Sequence, residues 1–179
     1  MSKAPIGLFS STKGDNAFYG NPEALIAMRV KGLDLREHLV QYKQLNSKLR
    51  KRIASKIKKR TATKEEYKRF TWDKRFERRR KDAVDKFWKQ EKEQLRKGLR
   101  GTRNWSEEQK ADILKGKKPQ FKGKTMQAHH TYSVVKYPHL ANKPEVIYPA
   151  TPYEHFHGWH GGNYKQSKAG ERIRKIHEF

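Results

Sequence analysis

The chain has 179 residues, with 43 Lys and Arg against 19 Asp and Glu, a formal net charge of +24, and no cysteine. That composition excludes disulfides, cysteine-based zinc sites and thiol catalysis, and no apolar run approaches the roughly 20 residues that span a bilayer. The charge excess repels itself in a compact state and draws polyanions from a distance, so phosphate backbones are the expected partner and a membrane is not.

Residues 1 to 19 mix Gly, Ser, Lys and Asn without periodicity and read as a loop that lacks the apolar core of a signal peptide. Asn21 followed by Pro22 starts a helix over Pro22 to Val30, ending near Gly32. Leu35, Leu39, Tyr42, Leu49 and Ile53 recur at helical spacing and predict a longer helix from about Leu35 to Lys59. Thr63 with Glu66 makes a capping box, opening a helix from Lys64 to about Lys97 whose apolar stripe includes Phe76, Phe87 and Leu95. The other faces of both long helices are basic. They read either as a solvated surface or as a nucleic-acid contact, and the total charge tilts the choice toward contact.

Gly98 and Gly101 punctuate the chain. Ser106 with Gln109 repeats the capping box for a short helix from Glu107 to Lys115. After Gly116 and Pro119 the texture changes. Residues 120 to 127 predict a hairpin-like turn around Lys122 and Gly123, feeding an extended segment that carries His129 and His130. EVIYPA, Glu145 to Ala150, predicts a short strand, and Thr151-Pro152-Tyr153-Glu154 predicts a capped helix start with Gly158 ending the regular helix. The change of texture puts a boundary near Trp105, with a basic helical region at residues 1–104 and a catalytic module at 105–179.

Six of the eight histidines fall between His129 and His160. Neighbouring side chains on extended backbone point to opposite sides, so one of His129 and His130 can bind a cation while the other approaches a substrate. Three imidazoles are a fit set for a first-row divalent ion and leave a coordination position open. His155 and His160 can converge if the chain bends back at Gly161 and Gly162, whereas His157 lies about 200° around a helix from His155. His139 reads as structural or exposed, and His38 and His177 carry no role.

The run AHHTYSVVKYPHLANKPEVIYPATPYEHFHGWHGGN resembles the HNH/endonuclease VII nuclease superfamily, and most of all the GHH- or AHH-signature toxin nucleases at the C-termini of bacterial polymorphic toxins. The residues that carry the resemblance are Ala128-His129-His130, Lys136 to Leu140, Tyr148-Pro149, Thr151, Glu154-His155 and Gly158 to Asn163. They cover the last third of the chain. The resemblance implies an α+β chain in which the helical extension precedes a ββα-metal, treble-clef-like module holding one divalent ion (Zn, Mg, Mn or Ni). It implies His129, His155 and His160 as ligands, with His157 as a substitute, and His130 as general base. The residue that orients the base would be Asn142, Glu145 or a backbone carbonyl.

Lys136, Lys165, Lys168, Arg172 and Arg174 are candidate phosphate contacts, and Trp159 and Tyr164 are expected to pack rather than stack on bases. The expected activity is cleavage of DNA, or alternatively RNA, with little sequence preference. A third reading is a non-catalytic nucleic-acid-binding protein with a structural ion. A toxin of this kind implies a cognate acidic immunity protein. It would be a secreted effector that acts in the target-cell cytoplasm and is held inactive by its immunity protein in the producer's cytoplasm.

Overall fold

The computed structural model describes residues 20–179, so the loop expected over residues 1 to 19 lies outside the described residues. Four α-helices come first: α1 Pro22–Arg29, α2 Ser47–Lys58, α3 Lys64–Arg96 and α4 Glu107–Leu114. Two short antiparallel pairs follow, β1 Gln120–Phe121 with β2 Lys124–Thr125, and β3 Gln127–His130 with β4 Ile147–Ala150, then a π-helix over Glu154–Trp159. The class is α+β. Among the described residues no helix is long and apolar enough to cross a membrane.

Local sequence signals account for most helix starts. Asn21 Oδ1 accepts the Ala24 N–H, and Thr63 and Ser106 form complete capping boxes with Glu66 and Gln109. The helix expected from Leu35 is corrected: residues 33–46 are non-helical, and α2 begins only after the Asn46 cap. Backbone donors in that segment are spent elsewhere. Asp34 Oδ1 takes the Arg36 N–H, while the N–H groups of His38 and Tyr42 donate to the carbonyls of Lys136 and Val135, each at 2.9 Å. The Asp73 carboxylate of α3 then accepts from Tyr42 Oη, Leu45 N and Arg50. With those bonds made, the i→i−4 ladder has nothing left to offer the chain.

The main core joins elements distant in sequence. Leu25 and Ile26 from α1, its C-cap Val30, and Ala83 and Phe87 from α3 pack against Val146, Ile147, Tyr148 and Trp159 around the β3–β4 pair. Burying each large side chain there contributes about 1.5–3 kcal/mol. Arg29 crosses the same layer and donates to the carbonyls of Ile147 and Pro144, at 3.0 and 2.9 Å. The expected strand from Glu145 is shorter than read, because Pro144–Val146 forms a 3₁₀ turn before β4. A second cluster, Trp105, Ile113 and Met126, is closed by Phe121 and Phe179.

A polar strut braces the end of β4 against the π-helix. Arg103, with its side chain 0% exposed, donates to both oxygens of Glu154 at 2.6 and 2.8 Å and to the carbonyls of Pro149 and Phe179. Burial alone would raise the Glu154 pKa. The Arg103 hydrogen bonds and charge, with the N–H groups of Glu178 and Thr151, outweigh it and hold the carboxyl below its usual range. The turn that delivers Arg103 contains Gly101 at φ +78°, where an added Cβ would stand 2.3 Å from Glu91 Oε1.

Candidate metal centre and nucleic-acid cleft

β3 and β4 pair with His129 opposite Tyr148 and His130 opposite Ile147. The pleat sends the two imidazoles to different sides. His129 is buried against Trp159, ring centroids 4.9 Å apart, and meets His155 at 4.8 Å and His160 at 5.0 Å. His130 turns away and places Nε2 2.9 Å from the Ala141 carbonyl.

The helix that carries His155 and is capped by His160 is a π-helix, and it corrects the expectation that Gly158 ends the regular turn. Thr151 caps it, accepting the Glu154 N–H while its own N–H donates to Glu154 Oε2. The His160 N–H reaches back five residues to the His155 carbonyl, at 3.1 Å. That i→i+5 bond widens the turn and lays residues five apart one above the other, as π-bulges at functional sites often do. An α-helix would have placed them about 140° apart. Gly158 permits the close approach of the C-terminal strap, where the Arg174 N–H donates to its carbonyl at 2.9 Å.

The structure therefore brings His129, His155 and His160 together, each offering a nitrogen, with those atoms all within 4.8 Å of one another. A tetrahedral ion held at about 2.0–2.1 Å by each needs them roughly 3.4 Å apart, so the rings must close by about 1 Å or a little more. The tautomers suit the task. His160 Nδ1 lies 2.6 Å from the Gln166 carbonyl, which can only accept, and His155 Nδ1 lies 2.6 Å from Gln127 Oε1. Both Nδ1 atoms thus carry the proton, leaving Nε2 with a free lone pair. Such outer partners fix ring orientation in metal sites. Burial, reinforced by neighbouring imidazoles, pushes His129 well below the ordinary histidine pKa and lowers His155 to about 4. These two rings, His129 and His155, are then neutral near pH 7, the form that binds metal.

His130 has the complementary arrangement. The Ala141 carbonyl holds Nε2–H, so the lone pair sits on Nδ1. Burial lowers this ring to about 4, the Ala141 bond opposing and the Arg80 charge assisting. Of the three orienting candidates, the backbone carbonyl is the one in contact. Asn142 instead accepts from Arg79 at 3.2 Å, and Glu145, on the 3₁₀ turn, leaves Oε2 without a hydrogen-bond partner. His157 stands outside the cluster, against Tyr153 and Phe156.

All four central histidines line one cleft of about 870 Å³. Lys136, Lys165 and Lys168 line it too, Lys136 within 3.3 Å of Glu37. Arg172 is corrected as a phosphate contact: it is buried, with Nε and Nη2 on the Glu23 carboxylate and Nη1 on the Ile176 carbonyl. The Arg174 side chain is exposed outside this lining. Trp159 is buried, and Tyr164, 59% exposed, sits 4.8 Å from the Phe156 ring, 5.1 Å from His160 and 5.7 Å from His155. Sequence reading missed two lining residues from the helical part, Gln44 and Arg80, which meet at 3.5 Å, and it missed Gln127. None of the three sits in a recognisable motif.

Residues 71–151 match the family described as GHH signature containing HNH/Endo VII superfamily nuclease toxin. The match opens inside α3, takes in Arg80, His129 and His130, and closes at Thr151, before His155 and His160. No curated protein and no solved structure matches the chain.

Proposed function

From the match of residues 71–151 to the GHH-signature nuclease-toxin family, we infer a metal-dependent endonuclease that hydrolyses DNA phosphodiesters with little sequence preference. The observation that carries this is the pairing, in one cleft, of a three-imidazole cluster with a fourth imidazole on the opposite side of the same strand. The order hairpin then helix supports a ββα-metal module at residues 105–179, with residues 1–104 supplying Gln44 and Arg80 to the cleft. The charge of +24 supports an acidic immunity protein as the partner that protects the producer, and a secreted effector role.

His129, His155 and His160 would hold the ion. When bound it supplies a Lewis acid for a phosphoryl oxygen and for the charge developing on the leaving oxygen. His130 Nδ1 takes a proton from water while the Ala141 carbonyl keeps the ring in the correct tautomer. The water oxygen bonds to phosphorus, the bond from phosphorus to the 3′ oxygen breaks, and that oxygen is protonated from solvent. Arg80, whose guanidinium forms no ion pair among the described residues, stands with Lys165 and Lys168 to receive the flanking phosphates.

The test is plasmid nicking by the purified chain with a divalent ion, with and without chelator, beside a structured RNA. His130→Ala should abolish cleavage while DNA binding and metal content stay at the parent level. Cleavage at the parent rate by that variant would remove His130 from the reaction. RNA cut in preference to DNA would change the substrate and leave the site intact.

A further inference from the structure

We propose that the outer face of α2 is a second binding site, a track for the sugar–phosphate backbone of duplex nucleic acid that continues the path leaving the cleft at Gln44. The proposal rests on the nuclease reading only for the identity of the polyanion. α2 carries six Lys and Arg in twelve residues and no acid. Its inward cations are neutralised by α3, Arg50 by Asp73 and Glu77 and Lys56 by Glu66 at 2.7 Å. The outward ones are different. Lys58, on the flank, is exposed and without an ion pair among the described residues; Lys48, Lys51, Arg52 and the capping Lys59 are likewise exposed, and none forms an ion pair among the described residues. At 100° per residue these last four share an arc of about 100°, opposite Ile53, and they span roughly 17 Å.

An ordinary solvated helix interleaves signs, as α3 does with Glu65, Glu77, Asp82, Asp85 and Glu93 among its cations. α2 instead keeps like charges at i, i+3 and i, i+4, a spacing that destabilises a helix. The stripe is also placed for use. Gln44 lines the cleft, the α2 cap Asn46 lies two residues on, and Arg50 pins α2 to Glu77, three residues before the cleft-lining Arg80. A duplex carries one charge per about 1.7 Å of axis, so four cations over this length can neutralise about three or four phosphates of the near strand.

The experiment is fluorescence anisotropy of the full chain on a DNA duplex of about 40 bp in EDTA, across a salt series. It compares the parent with the variant Lys48→Gln/Lys51→Gln/Arg52→Gln/Lys59→Gln, and with a variant in which the three lysines become Arg. Equal helicity by circular dichroism confirms that α2 persists. The glutamine variant should lower the slope of log K against log salt by about 3 to 4, at about 0.9 per neutralised phosphate, and the charge-conserving variant should keep it. With metal, a duplex of about 8 bp that reaches only the cleft should be cut alike by parent and variant, while the long duplex shows a raised KM and an unchanged kcat. A slope changed by less than about 1 overturns the proposal, and so does an unchanged slope with lost binding to polyglutamate, which would make the face a dock for an acidic protein. If the parent cuts nothing yet its slope falls in the glutamine variant, the track stands and the nuclease reading fails.

Discussion

Replacing Gln127 by Ala takes away the acceptor that fixes His155 and leaves every candidate ligand in place. His155 Nδ1 lies 2.6 Å from Gln127 Oε1, so the loss frees the ring to rotate and to exchange tautomers. Outer partners of metal-bound histidines are worth 10–100-fold in affinity. Two features put Gln127 at the low end. Its side chain is exposed, so water can replace the lost acceptor, and His160 keeps its own anchor on the Gln166 carbonyl, which no side-chain substitution removes. The expected loss is therefore about tenfold, or about 1.4 kcal/mol, against a far larger loss for His155→Ala. Competition with a chromophoric chelator measures it directly, and Gln127→Glu should restore or exceed the parent affinity through a charged acceptor. An affinity unchanged in Gln127→Ala, beside a loss in His155→Ala, would refute the claim that this bond orients the ring.

Two further outcomes concern stability. Arg103→Met leaves the Glu154 carboxylate buried without its partner, a loss of about 3–5 kcal/mol; calorimetry should show a melting temperature lower on the order of 10 °C, and a shift under about 2 °C would count against the strut. Asp73 has its pKa lowered, because the bonds from Tyr42, Leu45 and Arg50 outweigh the opposing effect of burial. Its contribution is thus present above the unfolded carboxyl value of about 3.9 and lost as pH falls through the lower folded value. Asp73→Asn should cost about 1.5–3 kcal/mol at pH 7 and flatten the stability curve below about pH 4, seen by urea unfolding across pH. Parallel curves for parent and variant would exclude it.

The parts of the fold legible in the sequence were those specified by neighbours. Thr63 with Glu66, Ser106 with Gln109 and Thr151 with Glu154 close their bonds within three residues, so the helix starts were readable. Residues 33–46 were not, because apolar residues at helical spacing compete with partners unknown to a local pattern. Leu39, counted in the expected stripe, is 101% exposed, and the segment is tied to Val135, Lys136 and Asp73. The candidate site divides the same way. Imidazoles announce themselves by residue type, so His129, His155 and His160 could be nominated. Gln127, Gln44 and Arg80 are common residues whose relevance exists only once β3, the loop before α2 and α3 meet at one cleft. Arg172 shows the converse, a cation apparently free whose acid, Glu23, lies 149 positions away.

The wide turn at His155 to His160 joins two imidazole-bearing residues through the main chain as well as through any shared cation. Loading the centre and stiffening this stretch of backbone are then one event. The His160 amide becomes a built-in gauge of occupancy: its hydrogen should exchange with deuterium more slowly as ion is added, in step with the filling of the site and before any substrate arrives.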